Sequence, residues 1–338
     1  MNIEHVVDVD MTHRTSTMTS ATSSADALLA IATRLHLGHA SHPPPPAQLY
    51  ETLNSFITLA RTIGAHFAVV AVDVEERIRG YDLVEEVTTI CNTLSTTRPT
   101  DLLPSKHDYD DDVRIHILRV TPWGKFVPAL NAIVSHVASL GATYVLMTSA
   151  EVQLTKDALT IMKSKLDLEM TLVVGTVLPG HEYRCCNRQA ASQNDDAGNE
   201  LGFVDKGIHE EQEVEVELTG RTTPWNTCSL WNVNKLSLTG FLLVSEGLHP
   251  ETDGSELGSS AGVEEVCTIA TLQRILGPYN AQAKLISIPG EDSTSWETKT
   301  FEKDAKRQEW HEKKMASKVT RAKRQLELVG LSGTVIHC

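Results

Sequence analysis

The chain contains no apolar run approaching the ~20 residues that cross a bilayer, so a membrane-spanning helix is excluded as an expectation. An N-terminal apolar block of the signal-peptide kind is also missing. Its 6 cysteines (Cys91, Cys185, Cys186, Cys228, Cys267 and Cys338) form no CxxC pair and no zinc-ligand cluster with the histidines. A bond between the adjacent Cys185 and Cys186 would be strained. These absences point to reduced thiols and a cytoplasmic protein. Positive charge is scarce as well. A net charge of −14 argues against a nucleic-acid partner, which needs a phosphate-neutralising surface. It leaves room for a small phosphorylated ligand, which one Lys, one metal ion and a helix N-terminus can bind. No internal repeat is present, and nothing in the pattern speaks to oligomeric state.

What is present is a soluble globular composition, 41% hydrophobic and 22% charged over 338 residues, enough for one large α/β domain or two smaller ones. Residues 1–45 read as a disordered tail, because Thr12 to Ser24 is rich in Ser, Thr and Met and Pro43 to Pro46 is a four-proline run. The main domain is expected over residues 46–300. A basic and acidic helical extension follows over 301–338, its charge cluster read as a solvated face.

The organising stretch is Val113 to Glu151. Val113, Ile115 and Ile117 alternate as a strand does. Phe126, Leu130, Ile133, Val134, Val137 and Leu140 share a helical face that ends at Gly141. Thr143 to Thr148 is then a nearly all-apolar strand ending on Ser149, Ala150 and Glu151. Such strand–helix–strand units build parallel sheets with ligands at the carboxyl ends of the strands.

Around this unit the same reasoning expects a helix from Leu49 to Ile63 and a strand from His66 to Val72 ending on Asp73. A helix opened by Asp82 and Glu85 should follow. After Glu151 come a helix at 158–166 and a strand at 170–178, and Arg184 to Gly207 reads as a loop. An exposed strand at 213–218, a helix at 263–276, a short strand at 283–288 and a long helix at 301–328 complete the series.

The order of these segments, with GKFVPALNAIVSHV, TYVLMTSAE, PWNTCSLW and GVEEVCTIATLQR, resembles a family 2-type glycosyltransferase of the GT-A fold over roughly Phe67 to Leu285. The resemblance implies a single α/β domain with a mostly parallel central sheet flanked by helices. It also implies a nucleotide-diphosphate sugar donor, a hydroxyl acceptor and a divalent cation, Mn²⁺ or Mg²⁺.

The family holds that cation with an Asp-x-Asp at the strand end, where this chain has Ser149 in place of the first acid and keeps only Glu151. Mg²⁺ often binds through one or two carboxylates plus phosphates and waters. The competing reading of Glu151 is an acid capping the next helix. His311 is a further metal candidate, set against a solvated His on a charged helix. His181 is ambiguous in the same way.

Lys125 opens a helix whose free N–H groups favour anions, so it is a donor-phosphate candidate; otherwise it is a solvated turn lysine. Asp73, Asn131 and Ser149 are the other donor-side candidates, the bland alternatives being a turn acid and a backbone-bonding amide. Trp225 and Asn226 are candidates for the acceptor floor, since indoles stack on sugar faces and amides bind hydroxyls.

The family places its general base where Glu264 and Glu265 begin a helix, although first-turn acids are also favoured simply by the helix dipole. Glu265 is preferred because Val263 and Val266 are expected to be buried. Gln273 and Arg274 do not match the family's Gln-x-x-Arg spacing, so no role is carried to them. Two other readings remain: a non-catalytic nucleotide-sugar binder, and a sugar nucleotidyltransferase. The latter is demoted because Asp73 to Gly80 lacks the Gly- and Arg-rich loop it requires.

Overall fold

A computed structural model describes residues 2–5, 27–37, 42–75, 78–96, 113–150, 152–184, 213–246, 263–289, 294–296 and 305–338, without the side chains of 2–5, 294–296, 305–312, 314 and 316. The expected α/β architecture with one mostly parallel sheet flanked by helices is what the chain forms. From one edge the sheet runs β1 (Asn2–His5), β4 (Arg114–Thr121), β3 (Phe67–Asp73), β2 (Leu29–Leu35) and β5 (Tyr144–Thr148). It continues through β9 (Cys228–Asn232), β7 (Thr171–Thr176), β10 (Gln282–Ile286), β12 (Thr334–His337) and β8 (Val214–Glu217). Strands β4, β3, β2 and β5 are mutually parallel, as are β7, β10 and β12. β1, β9 and β8 run antiparallel to their neighbours. A separate ribbon pairs β6 (Val152–Leu154) with β11 (Thr294–Trp296).

The inner strands are apolar on both faces because both are covered. β3, FAVVAVD, and β7, TLVVGT, are buried at every residue. One face carries Ala30, Ala32, Val69 and Ala71 against the helices α3 (Val127–Ser139) and α6 (Glu264–Leu276). The other carries Leu29, Ile31, Val70 and Val72 against α1 (Pro46–Thr62), α2 (Leu83–Thr96) and α4 (Lys156–Lys165). A four-residue helix, α5 (Val233–Leu236), follows β9, and the long α7 (Ala305–Val329) leads into β12. Gly64 and Gly141, expected as helix stops, have φ of 68° and 73°, the left-handed backbone a terminating residue needs. Asp82 caps α2 by accepting from the N–H of Val84 and Glu85.

Two expectations are corrected. The segment 1–45 is not all tail: Leu29–Leu35 is a central strand, its Leu29, Ala30 and Ile31 fully buried, and Asn2–His5 pairs with β4. The seven residues LAIATRL carry enough apolar surface to be enclosed between β3 and β5, whatever the polarity of their surroundings. Residues 301–338 are not only a helical extension, since Thr334–His337 is an internal strand between β10 and β8. The strands β4 and β5 of the expected strand–helix–strand unit are parallel, with β3 and β2 lying between them. The loop expected at 184–207 lies outside the described residues beyond Arg184. No helix among the described residues is long and apolar enough to cross a membrane.

Candidate active site

From β2 the chain steps to β3 and β4 on one side, while β5 lies on the other. Connections that diverge in this way leave a crevice at the carboxyl ends of the two central strands, where open α/β sheets bind ligands. The ends of β2, β3, β4 and β5 place Arg34, Asp73, Trp123 and Ser149 there.

The N-terminus of α6 closes the same crevice. Val263, Val266, Cys267, Ile269 and Ala270 are buried around this helix, which draws its first turn, and both first-turn acids, out of solvent. Glu264 and Glu265 are only 8% and 6% exposed. Glu264 Oε1 lies 3.9 Å from Arg34 Nη1. Glu265 Oε1 accepts the main-chain N–H of Asn226 at 2.6 Å. Burial, and secondarily the charge of Glu264, pushes the Glu265 carboxyl up to about 7, against the opposing pull of Lys318 and of main-chain N–H groups.

The turn that holds Asn226 is itself fixed from several sides. Thr222 Oγ1 donates to Glu217 O, and Trp225 Nε1 donates to Gly220 O. Asn226 Oδ1 accepts from Trp231 Nε1 at 3.0 Å. Gly175 of β7 lies so close under this turn that an added Cβ would meet Pro224 Cβ at 2.6 Å, a reason for glycine there. The N–H of Ser149 donates to Thr227 O, so the end of β5 and the Glu265-binding turn are joined through adjacent residues. Ser149, Asn226 and Glu265 are thereby brought together at one end of the sheet. Glu151 itself lies outside the described residues.

Other candidates are placed differently. Asp73 is buried at the end of β3, and its Oδ1 accepts from Glu75 N, holding the turn that leaves the strand. Asn131 clamps the chain at Phe241: its Nδ2 donates to Phe241 O and its Oδ1 accepts from Phe241 N. Both ends of that amide are committed to the fold. Trp225 is 2% exposed, stacked on His181 at 3.7 Å with Lys318 Nζ 3.4 Å from its ring centroid. With both faces covered, the indole offers no floor for a sugar. His181 is structural too. Its Nδ1 accepts from Leu178 N, its Nε2 lies 3.0 Å from Thr223 O, and burial drives its pKa down to about 3. His311 lies in α7 one turn before Met315, and its side chain is outside the described set.

The helix N-terminus behind Lys125 is already filled. Glu246, at the end of a short 3-10 turn (Leu243–Glu246), accepts the N–H groups of Lys125, Phe126 and Val127 on one oxygen at 3.0, 2.9 and 2.9 Å. An internal carboxylate thus satisfies the donors that the sequence reading assigned to a ligand phosphate. Glu246→Ala is expected to cost about 1–2 kcal/mol in denaturant unfolding by leaving these donors without an acceptor. An unchanged midpoint would show that water replaces the carboxylate at no cost.

The resembled family implies a divalent cation at the end of β5. Hard cations need several oxygen ligands, commonly carboxylates. At this strand end the described side chains supply the Ser149 hydroxyl, and no group of three His, Cys, Asp or Glu residues among the described residues could hold a metal ion. Glu151 and the His311 side chain, the two ligands that the sequence offers for that cation, lie outside the described residues. A cavity of about 260 Å³ lined by Gln273, Tyr279 and Thr334 lies at the opposite, amino ends of β10 and β12, away from this chemistry. Cys91, Cys228, Cys267 and Cys338 are buried and in no disulfide, and burial raises the first three to about 12, 11 and 11, as inert thiols require.

No protein-family model and no curated protein matches the sequence. Similar solved structures include the 4-diphosphocytidyl-2C-methyl-D-erythritolsynthase from Anaerococcus prevotii DSM 20548, at 12% identity and TM-score 0.34, covering 82% of this chain and 92% of that one. S. aureus TarS 1-349 is 12% identical with TM-score 0.32, over 72% of this chain and 54% of that one. HddC from Yersinia pseudotuberculosis is 10% identical with TM-score 0.27, over 44% and 58%. At these scores the fold is argued from strand order and direction alone.

Sequence reasoning missed Arg34 and Glu246. Arg34 had a signal, since it closes the apolar run LAIATRL. Glu246 had none, because its partners lie about 120 residues away in sequence.

Proposed function

We propose that this chain is a glycosyltransferase that moves a sugar from a nucleotide-diphosphate donor to an acceptor hydroxyl with inversion, using Glu265 as general base. The observation that carries this reading is a buried carboxylate pushed up to about 7 and held by Asn226 N–H at the crevice of a mostly parallel sheet. A base with that affinity for a proton is half ionised near neutral pH, where general-base catalysis is most effective. The acceptor oxygen attacks the anomeric carbon, its proton passes to the Glu265 carboxylate, and the bond from that carbon to the diphosphate oxygen breaks with its electron pair. A carboxylate also suits the oxocarbenium-like centre that develops during this displacement.

Ser149 and Asp73 stand at the strand ends where the donor would lie, with Asn226 towards the acceptor. Asn131 and Trp225, whose groups are used by the fold, are left out of the scheme. For a sugar nucleotidyltransferase the loop to judge is the one after β2, the first strand of the parallel set. It reads HLGHASHPPPP, with one Gly and no Arg or Lys, so that reading stays demoted on different residues. Ser149 in place of an acid favours a second reading, a binder without turnover.

Thermal unfolding with a panel of UDP- and GDP-sugars tests the binding half of this proposal. At least one donor at about a hundred times its Kd should stabilise the protein by about 2.7 kcal/mol. Absence of any shift at millimolar concentrations of every donor would sink it.

A further inference from the structure

Strand β2 brings a cation to the end of the sheet where the resembled family has a carboxylate on the neighbouring strand β5. Their register matches Leu29 with Tyr144 and Ala32 with Met147. Carried two residues further, past the last paired residues and past the end of β5, that register would set Arg34 opposite Ser149. Ala32 belongs to one face of the sheet, and side chains alternate along a strand, so Arg34, two residues on in β2, belongs to that face too. Neighbouring strands lie about 4.8 Å apart. A divalent ion held at Ser149 would therefore have a guanidinium on the neighbouring strand.

Among the described residues the Arg34 guanidinium has an Nη1 without a hydrogen-bond acceptor. Arg34 Nη1 is buried and makes no hydrogen bond, since its 3.9 Å separation from Glu264 Oε1 is an ion pair beyond hydrogen-bond range. The group packs over the Phe126 ring, 5.5 Å from its centroid, which fixes its plane. Two more buried donors at the same end of the sheet lack acceptors: Trp123 Nε1 just past β4 and Asn226 Nδ2 beside the end of β5. Buried donors left without acceptors are destabilising, a cost that an oxygen-rich anion removes on binding.

We infer that Arg34 supplies the positive charge that receives the ligand's diphosphate in this protein, in the place where the resembled family uses a divalent cation. The inference rests on the proposed nucleotide-sugar reading for the identity of that ligand. Guanidinium–phosphate pairs are commonly bidentate, so the geometry as well as the charge of Arg34 matters.

Isothermal titration of inorganic pyrophosphate, UDP and GDP decides the matter, using the full chain in excess EDTA and again in Mg²⁺. Wild type should bind pyrophosphate in EDTA within about twofold of its affinity in Mg²⁺. Arg34→Met, which keeps the stem over Phe126, should weaken binding at least tenfold, with Arg34→Lys in between. Ser149→Asp, at a half-buried position, should weaken binding in EDTA by placing a carboxylate beside the guanidinium. Should Arg34→Met fail to fold by circular dichroism, the Lys and Asp variants carry the comparison.

Binding that requires Mg²⁺ and ignores Arg34 overturns the inference, as does a wild type that binds pyrophosphate in neither condition. Arg34-dependent binding of pyrophosphate without any UDP or GDP binding keeps Arg34 and overturns the nucleotide-sugar reading. Metal-dependent nucleotide binding indifferent to Arg34 does the reverse.

Discussion

Glu265→Gln is expected to stabilise the folded protein at pH 8 by on the order of 3 kcal/mol while abolishing turnover. The wild-type carboxyl is held near 7 in the fold against an ordinary value of 4.5. The folded state therefore binds a proton that the unfolded chain has released. Stability from this group is fully present below pH 4.5, falls as pH rises towards 7, and stays lost above it. An amide of the same shape removes that loss and still accepts from Asn226 N–H.

His181 contributes the opposite slope. Its folded value of about 3 lies below the ordinary 6.5, so stability is present above 6.5 and lost as pH falls towards 3. The informative quantity is thus the difference between variant and wild type, which should open between pH 4.5 and 7 and stay flat above. A variant less stable than wild type at pH 8 would show that Glu265 is not a strained, desolvated acid. Stability gained by silencing a group is the pattern expected where a fold sustains strain for function.

Removal of residues 332–338 should unfold the protein, although the segment is only seven residues long. It contains β12, which fills the space between β10 and β8, with Val335 and His337 fully buried and Cys338 3% exposed. Its main chain holds other parts as well. The Cys338 carbonyl accepts from Tyr183 Oη, and Thr334 is bonded through both N–H and carbonyl to the Gln273 side chain of α6. Deletion strips the partners from two strands and opens the core beneath α6. The truncated chain is expected to lose its cooperative thermal transition. A transition within about 2 °C of wild type would make β12 an ornament of the sheet.

The contrast between these two regions shows what the sequence makes legible. Apolar stripes at helical spacing gave α1, α2, α3, α4 and α6 to within a few residues, and β3, β5 and β7 were visible as unbroken apolar runs. β2 was hidden because seven residues of strand lie between a Ser/Thr-rich stretch and a proline run, and composition over a wider window outweighed them. β12 was hidden because a four-residue strand after a charged helix has no period to detect, and its burial comes wholly from distant partners.

The same division holds in the site. Glu264 and Glu265 were legible because acids opening an apolar helix stand out. Asn131 and Trp225 are candidates for chemistry that their side chains do possess, and Lys125 in part for the free main-chain N–H groups of the helix it opens. Tertiary contacts satisfy that chemistry internally: Glu246 fills the helix N-terminus, Phe241 takes both ends of the amide, and His181 with Lys318 covers the indole. Residue type tells what a group can do, and only packing tells whether a partner within the fold already uses it.

The most direct test is release of nucleoside diphosphate from the sugar nucleotide that best stabilises the protein, followed from pH 5 to 9 in wild type and Glu265→Gln. The account predicts turnover that climbs with pH to a midpoint near 7 in wild type and vanishes in the variant, which still binds donor. Equal turnover in the two proteins, or a wild-type profile with no ionisation near neutrality, would contradict it.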